Sequence, residues 1–142
     1  MEVTIHTDGG SLGNPGPSAI GATIEYDGEK KKYAKDIGIG TNNEAEYKAL
    51  AFALKKTKAL IGGKEAKNAH LNCYMDSQLV ANQLNHKYQL KNERTIKLFV
   101  EVWNLMMEFQ KVEFHYIPRE ENKEADSLVR SIYQEFDQKT LF

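Results

Sequence analysis

The chain has 142 residues, of which 41% are hydrophobic and 27% are charged. This composition is typical of a single globular domain, and no apolar run approaches the ~20 residues of a membrane helix. We therefore expect one domain over residues 1–142 and no membrane partner. Nineteen Lys and Arg residues against twenty Asp and Glu leave a net charge of −1. This balance excludes the strongly basic class of nucleic-acid-binding proteins and confines any such binding to local patches.

Lysine-rich stretches at 30–32, 55–58 and 87–97 are interpreted as solvated faces. The one cysteine, Cys73, cannot form an internal disulfide, and the chain does not open on a signal segment. We therefore expect a cytoplasmic protein. Cys73 lies in an apolar run, which favours a buried small hydrophobic side chain over a reactive thiol.

Two spacings of apolar residues divide the chain into strands and helices. Alternation of apolar and polar residues predicts strands at 3–8, 19–26, 31–39, 70–75 and 112–116. Helical spacing predicts helices at 45–61, 77–84, 93–109 and from about 123 to 136. The first three strands are joined by short turns and predict an antiparallel meander. The tail from Gln134 to Phe142 is expected either to pack on the body or to fray.

Two features refine the helices. Thr41 and Glu44 have the spacing of a capping box at the start of the first helix. On the helix at 93–109, four apolar residues at helical spacing are expected to lie in the core rather than to contact a ligand. They are Ile96, Val100, Trp103 and Met107.

Four acidic residues occupy positions that favour a functional site. Asp8 ends the first predicted strand before a Gly- and Pro-rich turn, and Asp76 follows the fourth strand. Sites in open α/β sheets assemble beyond the carboxyl ends of strands. Glu46 and Asp126 each share a helix face with apolar residues that pack inward. Ordinary structural explanations also exist, such as a helix N-cap at Asp76 or a Glu46 side chain that reaches water.

Brought together, four carboxylates would repel one another and raise each other's pKa unless divalent cations compensated their charge. Oxygen ligands alone favour Mg²⁺ or Mn²⁺ over zinc. Two such ions, one activating water and one stabilising the leaving oxygen, suit phosphodiester hydrolysis. His6 shares a strand face with Asp8 and is interpreted as a structural residue rather than a metal ligand.

Five strings in this chain resemble, in the same order, those of ribonuclease H type 1. They are Thr7-Asp8-Gly9-Gly10-Ser11, Gly13-Asn14-Pro15-Gly16, Thr41-Asn42-Asn43-Glu44-Ala45-Glu46, Asp76-Ser77-Gln78 and Glu121-Asn122-Lys123-Glu124-Ala125-Asp126. The resemblance spans the chain from Val3 to about Ile132 on the element assignments above. It implies an α/β protein with the ribonuclease H-like fold, a five-stranded mixed sheet flanked by helices, with the first three strands antiparallel.

The resemblance also implies an activity and a set of site residues. Two Mg²⁺ or Mn²⁺ ions are assigned to the four acids, which are Asp8, Glu46, Asp76 and Asp126. The family cleaves the RNA strand of an RNA/DNA hybrid, leaving 5′-phosphate and 3′-hydroxyl ends with little sequence specificity. The matched substrate-binding positions are Gly9, Gly10, Ser11, Asn14, Thr41, Asn42 and Gln78. The amide side chains of Asn14, Asn42 and Gln78 match positions that contact the minor groove of the hybrid, where 2′-hydroxyls distinguish RNA from DNA. Thr41 and Asn42 match the pocket that binds a phosphate of the DNA strand.

The chain departs from many bacterial family members just before its last acid. Where those members carry a loop histidine, the stretch 116–122 offers Arg119, which resembles the archaeal and plant-like branch. Arginine stays protonated and does not shuttle protons. We therefore expect Arg119 to act electrostatically on the scissile phosphate or the leaving group, with Glu120 as a less direct helper.

The segment 85–93 is a second departure, because it is too short for the extra helix and basic loop with which some members grip the DNA strand. Lys87, Tyr88, Lys91 and Arg94 offer a reduced substitute. With the near-neutral net charge, this predicts modest, salt-sensitive affinity for the hybrid.

Two alternatives stay open at this point. A hybrid-binding module without catalysis would be expected to lack at least one acid, whereas this chain keeps all four. Another nuclease or polynucleotidyl transferase on the same fold would usually have a different acid spacing and lack the Thr-Asn-Asn-x-x-Glu string. The sequence also leaves open activity on double-stranded RNA or on single ribonucleotides in DNA. We expect a monomer.

Overall fold

Five strands form one mixed sheet in the computed structural model of the protein, which describes residues 1–140. The strands are β1 (Glu2–Ser11), β2 (Gly16–Tyr26), β3 (Glu29–Gly40), β4 (His70–Met75) and β5 (Lys111–Tyr116). Their order across the sheet is β3-β2-β1-β4-β5. The first three strands are antiparallel, and β4 is parallel to both β1 and β5. The predicted fold class is confirmed.

Helices cover the two faces of this sheet. They are α1 (Asn42–Ile61), α2 (Gly63–Ala66), α3 (Gln78–Leu84), α4 (Glu93–Met106) and α5 (Lys123–Thr140), with a 3-10 turn at Arg119–Glu121. Alternation along β2 sends Ala22 and Ile24 into the main core with α1, whereas Ala19 packs with Val129 and Ile132 of α5. The sheet therefore lies between α1 and α5.

β1 runs past the position where the sequence predicts its end. Its backbone stays paired with β2 up to Ser11, which faces Ser18, whereas its pairing with β4 stops at Thr7 and Met75. The predicted strand end at Asp8 is therefore wrong, because the glycines that suggested a turn continue the ladder with β2. Asp8 is instead the first residue at which one edge of β1 is open, and this opening provides the space for a site.

The predicted inward face of α4 is also wrong. Trp103 is 46% exposed and Met107 is 72% exposed, and Ile96 and Val100 are exposed as well. The face that packs on the core consists of Thr95, Leu98, Phe99, Val102, Leu105 and Met106. Both series have helical spacing, so apolar periodicity alone does not decide which of them faces inward.

α1 begins with the predicted N-cap. The Thr41 hydroxyl accepts a hydrogen bond from the backbone N–H of Glu44 at 3.1 Å. The Glu44 carboxylate, which the sequence predicts to close the capping box, lies instead 3.7 Å from Nη1 of Arg94. The cap fixes the start of α1, the helix that carries Glu46.

Three further predictions concern Cys73, the tail and the membrane. Cys73 is buried, and burial raises its pKa to about 12, so the expected inert thiol is confirmed. α5 continues to Thr140, so the predicted tail is helical to that residue, and Leu141 and Phe142 lie outside the described residues. Within residues 1–140, no helix has the length and apolar character needed to cross a bilayer.

Candidate active site

Three acids from separate elements converge at the open edge of β1. Asp8 lies on β1, Glu46 lies near the start of α1, and Asp76 directly follows β4. Each offers one carboxylate oxygen, and the three oxygens lie within 4.8 Å of one another. Asp8 is only 6% exposed and Glu46 only 9%. Acidic groups are therefore concentrated in a space where two of them are largely shielded from water.

Burial and mutual repulsion shift the titration of this cluster. Burial, and then the charges of Asp76 and Asp126, raise the pKa of Asp8 to about 7. Burial and then the charge of Asp8 raise the pKa of Glu46 well above its usual range. Burial also raises the pKa of Asp76, against an opposing hydrogen bond from Asn122. A bound divalent cation would have to displace the protons that this cluster retains near neutral pH.

A close backbone contact holds Glu46 against β1. A Cβ placed on Gly9 would lie 2.3 Å from the carbonyl oxygen of Ala45 and 2.7 Å from the backbone nitrogen of Glu46. Such an approach requires a residue without a side chain. The N–H of Gly9 also donates to Oδ1 of Asp8 at 3.0 Å. Gly9 therefore positions two of the acids through packing and its backbone.

Asn122 ties the third acid to the end of the sheet. It is 1% exposed, and its Nδ2 donates to the carbonyl oxygen of Thr7 at 2.9 Å and to Oδ2 of Asp76 at 3.3 Å. The side chain thus joins β1, the residue after β4 and the segment that leads into α5. Asn122 belongs to one of the family strings, but nothing in the sequence indicated a role of its own.

The fourth predicted acid, Asp126 on α5, lines the same cleft but is not one of the three closely spaced carboxylates. Its Oδ2 lies 3.0 Å from Nε of Arg130, one helical turn later. The structure therefore places all four predicted acids together, three in a compact cluster and one beside a cation.

The cleft above these acids has a volume of about 390 Å³. Arg119 lines it from the 3-10 turn, and its charge opposes the rise in the pKa of Asp76. The wall from α5 adds Arg130 and Tyr133, two residues that are not among the predicted site residues. The i, i+4 spacing from Asp126 could have indicated Arg130. The one sequence feature that pointed to Tyr133 is the helix face that it shares with Asp126.

The predicted substrate-binding residues form a hydrogen-bonded group beside the acids. Asn42 accepts a hydrogen bond at Oδ1 from the N–H of Ser11 at 2.9 Å, and its own N–H donates to Oδ1 of Asn14 at 3.0 Å. We call Ser11, Asn14 and Asn42 the polar ledge. Gly9, Gly10, Ser11 and Asn42 line the cleft. Thr41 caps the adjoining helix, and Gln78 is exposed at the first position of α3.

Two predictions of a purely structural role agree with the structure. The His6 ring stacks on Tyr74 with centroids 5.0 Å apart, which is a structural role. Lys30 and Lys32 both pair with the Glu124 carboxylate and are about half exposed, as expected of a solvated face.

A five-stranded mixed sheet of this order with a carboxylate cluster at the edge of its central strand defines the ribonuclease H-like class. The family model described as "Reverse transcriptase-like" matches residues 6–132. The chain belongs to this family.

Two curated relatives illustrate the range of the match. The Bifunctional protein Rv2228c of Mycobacterium tuberculosis is 36% identical over 131 residues, which are 90% of this chain and 34% of that protein. The chain thus spans about a third of the length of that relative. Ribonuclease HI of Helicobacter pylori strain J99 is 36% identical over 115 residues, which are 79% of this chain and 72% of that protein.

Solved structures support the same assignment. RNase H1 from the halophilic archaeon Halobacterium salinarum has a TM-score of 0.86 and 30% identity, covering 95% of this chain and 99% of its own. LC11-RNase H1 in complex with an RNA/DNA hybrid has a TM-score of 0.83 and 35% identity, covering 91% and 94%.

The ribonuclease H family uses divalent metals, and the donor set of this chain fits such ions. Asp8, Glu46 and Asp76 supply only carboxylate oxygens, the ligand type of hard cations. Burial raises the pKa of all three acids, and the positive charge of Arg119 offsets this only in part at Asp76.

Proposed function

We propose that this protein hydrolyses the RNA strand of RNA/DNA hybrids by a two-metal-ion mechanism, leaving 5′-phosphate and 3′-hydroxyl ends. The observation that carries the proposal is the compact cluster of Asp8, Glu46 and Asp76, whose oxygens lie within 4.8 Å of one another on a ribonuclease H-like fold. Relatives named ribonuclease HI and a structural neighbour solved with a hybrid support the substrate class.

Mg²⁺ or Mn²⁺ is the cofactor that we propose for the acid cluster. Asp8, Glu46 and Asp76 would hold the cations, and Asp126 would join them once released from Arg130. When bound, such ions lower the pKa of a water molecule and stabilise negative charge on the leaving oxygen. Because burial favours the protonated acids, metal binding should release protons and weaken below neutral pH.

The other cleft residues have roles that follow from their chemistry. Arg119 offers a permanent positive charge beside the acids, which suits a developing charge on the phosphate or leaving group and not proton transfer. The polar ledge offers neutral amide and hydroxyl groups, which suit the sugar-phosphate backbone of either strand. Such contacts carry little sequence information, so we propose cleavage with little sequence preference.

Affinity for the hybrid should be modest and sensitive to salt. Lysines of the solvated stretch 55–58 form ion pairs with acids, Lys55 with Glu101 and Lys58 with Glu108, and so add little free positive charge. The net charge of −1 adds no long-range attraction. We therefore expect the Michaelis constant for the hybrid to rise as salt is added.

Cleavage of an end-labelled RNA/DNA hybrid tests the proposal, beside RNA/RNA and DNA/DNA duplexes, with Mg²⁺, with Mn²⁺ and with chelator. We expect metal-dependent cutting of RNA in the hybrid that is lost in Asp8→Asn. Asp27→Asn is the matched control, because Asp27 lies in the β2–β3 hairpin at a positive φ that asparagine also adopts. A folded protein that binds the hybrid without cutting it would instead be a binding module.

A further inference from the structure

Tyr133 on α5 lines the cleft and carries a hydroxyl group at the outer end of its ring. Its ring packs against the small cluster of Ala19, Val129 and Ile132 between α5 and the sheet. The ring is therefore anchored, and its outer end reaches the cleft lined by the acids. Within residues 1–140, no hydrogen-bond partner is found for the phenolic oxygen.

Gly10 makes room for this hydroxyl. A Cβ placed on Gly10 would lie 2.5 Å from the Tyr133 oxygen but 3.7 Å from the ring carbon that carries it, and 3.8 Å from Oδ1 of Asn42. The hydroxyl oxygen therefore lies over the backbone of β1, two residues after Asp8 and next to the polar ledge. The contact that excludes a side chain at position 10 involves the oxygen alone.

The chemistry of the hydroxyl suits a neutral ligand. A tyrosine phenol keeps its proton at neutral pH, so it can donate and accept a hydrogen bond without carrying a charge. A sugar hydroxyl carries no charge and can both donate and accept a hydrogen bond, as the phenol can.

We propose that the Tyr133 hydroxyl hydrogen-bonds a ribose 2′-hydroxyl of the RNA strand close to the scissile linkage, and so adds to the discrimination between RNA and DNA. This inference rests on the function proposed above and extends it to a residue outside the family strings. Tyr133 would be a substrate-contacting residue with no part in the chemical step. Its loss should therefore raise the Michaelis constant and leave kcat nearly unchanged.

A chemical double-mutant cycle tests the proposal on the whole protein. The substrates are hybrids in which a short central run of ribonucleotides confines cleavage to one linkage, with one 2′-deoxynucleotide introduced at each flanking position in turn. We expect Tyr133→Phe to lower kcat/KM about fivefold on the unmodified hybrid, a typical effect of one hydrogen bond. At one position, the 2′-deoxy substitution should lower kcat/KM of the wild type by a similar factor. The same substitution should not lower kcat/KM of Tyr133→Phe any further.

Gly10→Ala provides a second, independent test. In the wild type the new methyl group collides with the phenolic oxygen, so the variant should lose thermal stability and kcat/KM. In the Tyr133→Phe background the colliding atom is absent, so Gly10→Ala should be tolerated and the double variant should regain the stability of Tyr133→Phe. Tyr26→Phe, at the far end of β2, is the matched control and should leave kcat/KM unchanged.

The outcomes separate this inference from the proposed function. If the wild type cuts the hybrid while Tyr133→Phe cuts it equally well, the Tyr133 contact is refuted and the nuclease proposal stands. Equal sensitivity of both proteins to 2′-deoxy substitution at every position would also refute it. If the wild type cuts no hybrid, the proposed function fails and this inference fails with it.

Discussion

Nε of Arg130 lies 3.0 Å from Oδ2 of Asp126, so the last acid of the cleft is held in an ion pair along α5. The Arg130 side chain is about two thirds exposed, whereas the Asp126 side chain is 23% exposed. Asp126 is also absent from the set of three carboxylates whose oxygens lie within 4.8 Å of one another. In this conformation, Arg130 therefore competes with any cation for the fourth carboxylate.

Removal of this competition should strengthen metal binding. We expect Arg130→Gln to bind Mn²⁺ about two- to threefold more tightly than the wild type at low salt, because an exposed ion pair contributes little more than this. Arg130→Lys keeps the charge and serves as the control. Titration calorimetry in low and high salt is the measurement. Unchanged or weaker Mn²⁺ binding by Arg130→Gln would show that the ion pair does not restrain Asp126.

The acid cluster should make the metal-free protein less stable as pH rises. The pKa of Asp8 is about 7 in the folded chain and 3.8 in a model peptide, so the folded state binds more protons in this interval. The contribution of Asp8 to the free energy of unfolding is then greatest below about pH 4. It is lost as the pH rises from there through 7. At pH 8 without metal, Asp8→Asn should therefore melt about 5 °C or more above the wild type.

Thermal melts at pH 5 and pH 8, with chelator and with Mg²⁺, check this prediction. Mg²⁺ should raise the melting temperature of the wild type at pH 8 far more than at pH 5, and should barely change that of Asp8→Asn. A wild-type melting temperature that rises between pH 5 and pH 8 in chelator would contradict the assignment of buried charge to this cluster.

Asn122 should be needed for both stability and the placement of Asp76. Its amide donates a buried hydrogen bond to Thr7 and a partly buried one to Asp76, so Asn122→Ala should destabilise the fold by about 2 kcal/mol. Asn122→Asp should cost more, because it replaces the donor with a charge beside Asp76. Urea denaturation compares the two variants. Equal stability of Asn122→Asp and the wild type would show that these hydrogen bonds contribute little.

Much of the site could be predicted because its residues are placed by local structure. Asp76 follows a strand whose alternation is clear, and Glu46 follows from the helical face set by the Thr41 cap. These placements depend on backbone periodicity, which the sequence shows directly. The family strings added the pairing between distant segments.

Other features depend on contacts that the sequence does not show. The inward face of α4 was mispredicted because Val100 and Val102 belong to two competing apolar series, and only packing against α1 selects between them. The proximity of Tyr133 to Gly10 requires the docking of α5 on β1. The extension of β1 past Asp8 likewise depends on its partner strand, because glycine is compatible with both a turn and a ladder.

Gly9 should be the least replaceable glycine near the site. A methyl group there meets the backbone of α1 at Ala45 and Glu46, so Gly9→Ala must move the helix that carries one of the acids. We expect a loss of about 3 kcal/mol or more in unfolding free energy, as for other overpacked sites, and weaker Mn²⁺ binding in the protein that still folds. Gly28→Ala is the control, since a Cβ at Gly28 has no neighbour within 4 Å among the described residues and incurs only the strain of its positive φ. Similar denaturation midpoints for the two variants would argue against the close contact.

Arg119 should affect turnover more than metal binding. It lines the cleft beside the acids but carries a positive charge, so it does not ligate a cation. We expect Arg119→Ala to lower the single-turnover cleavage rate of a hybrid at least about tenfold, because a charge aligned with the developing negative charge is lost. Arg119→Lys should recover part of the rate, and Mn²⁺ affinity should change little in either variant. Full turnover by Arg119→Ala, under conditions where Asp8→Asn is inactive, would show that the catalytic role assigned to Arg119 is wrong.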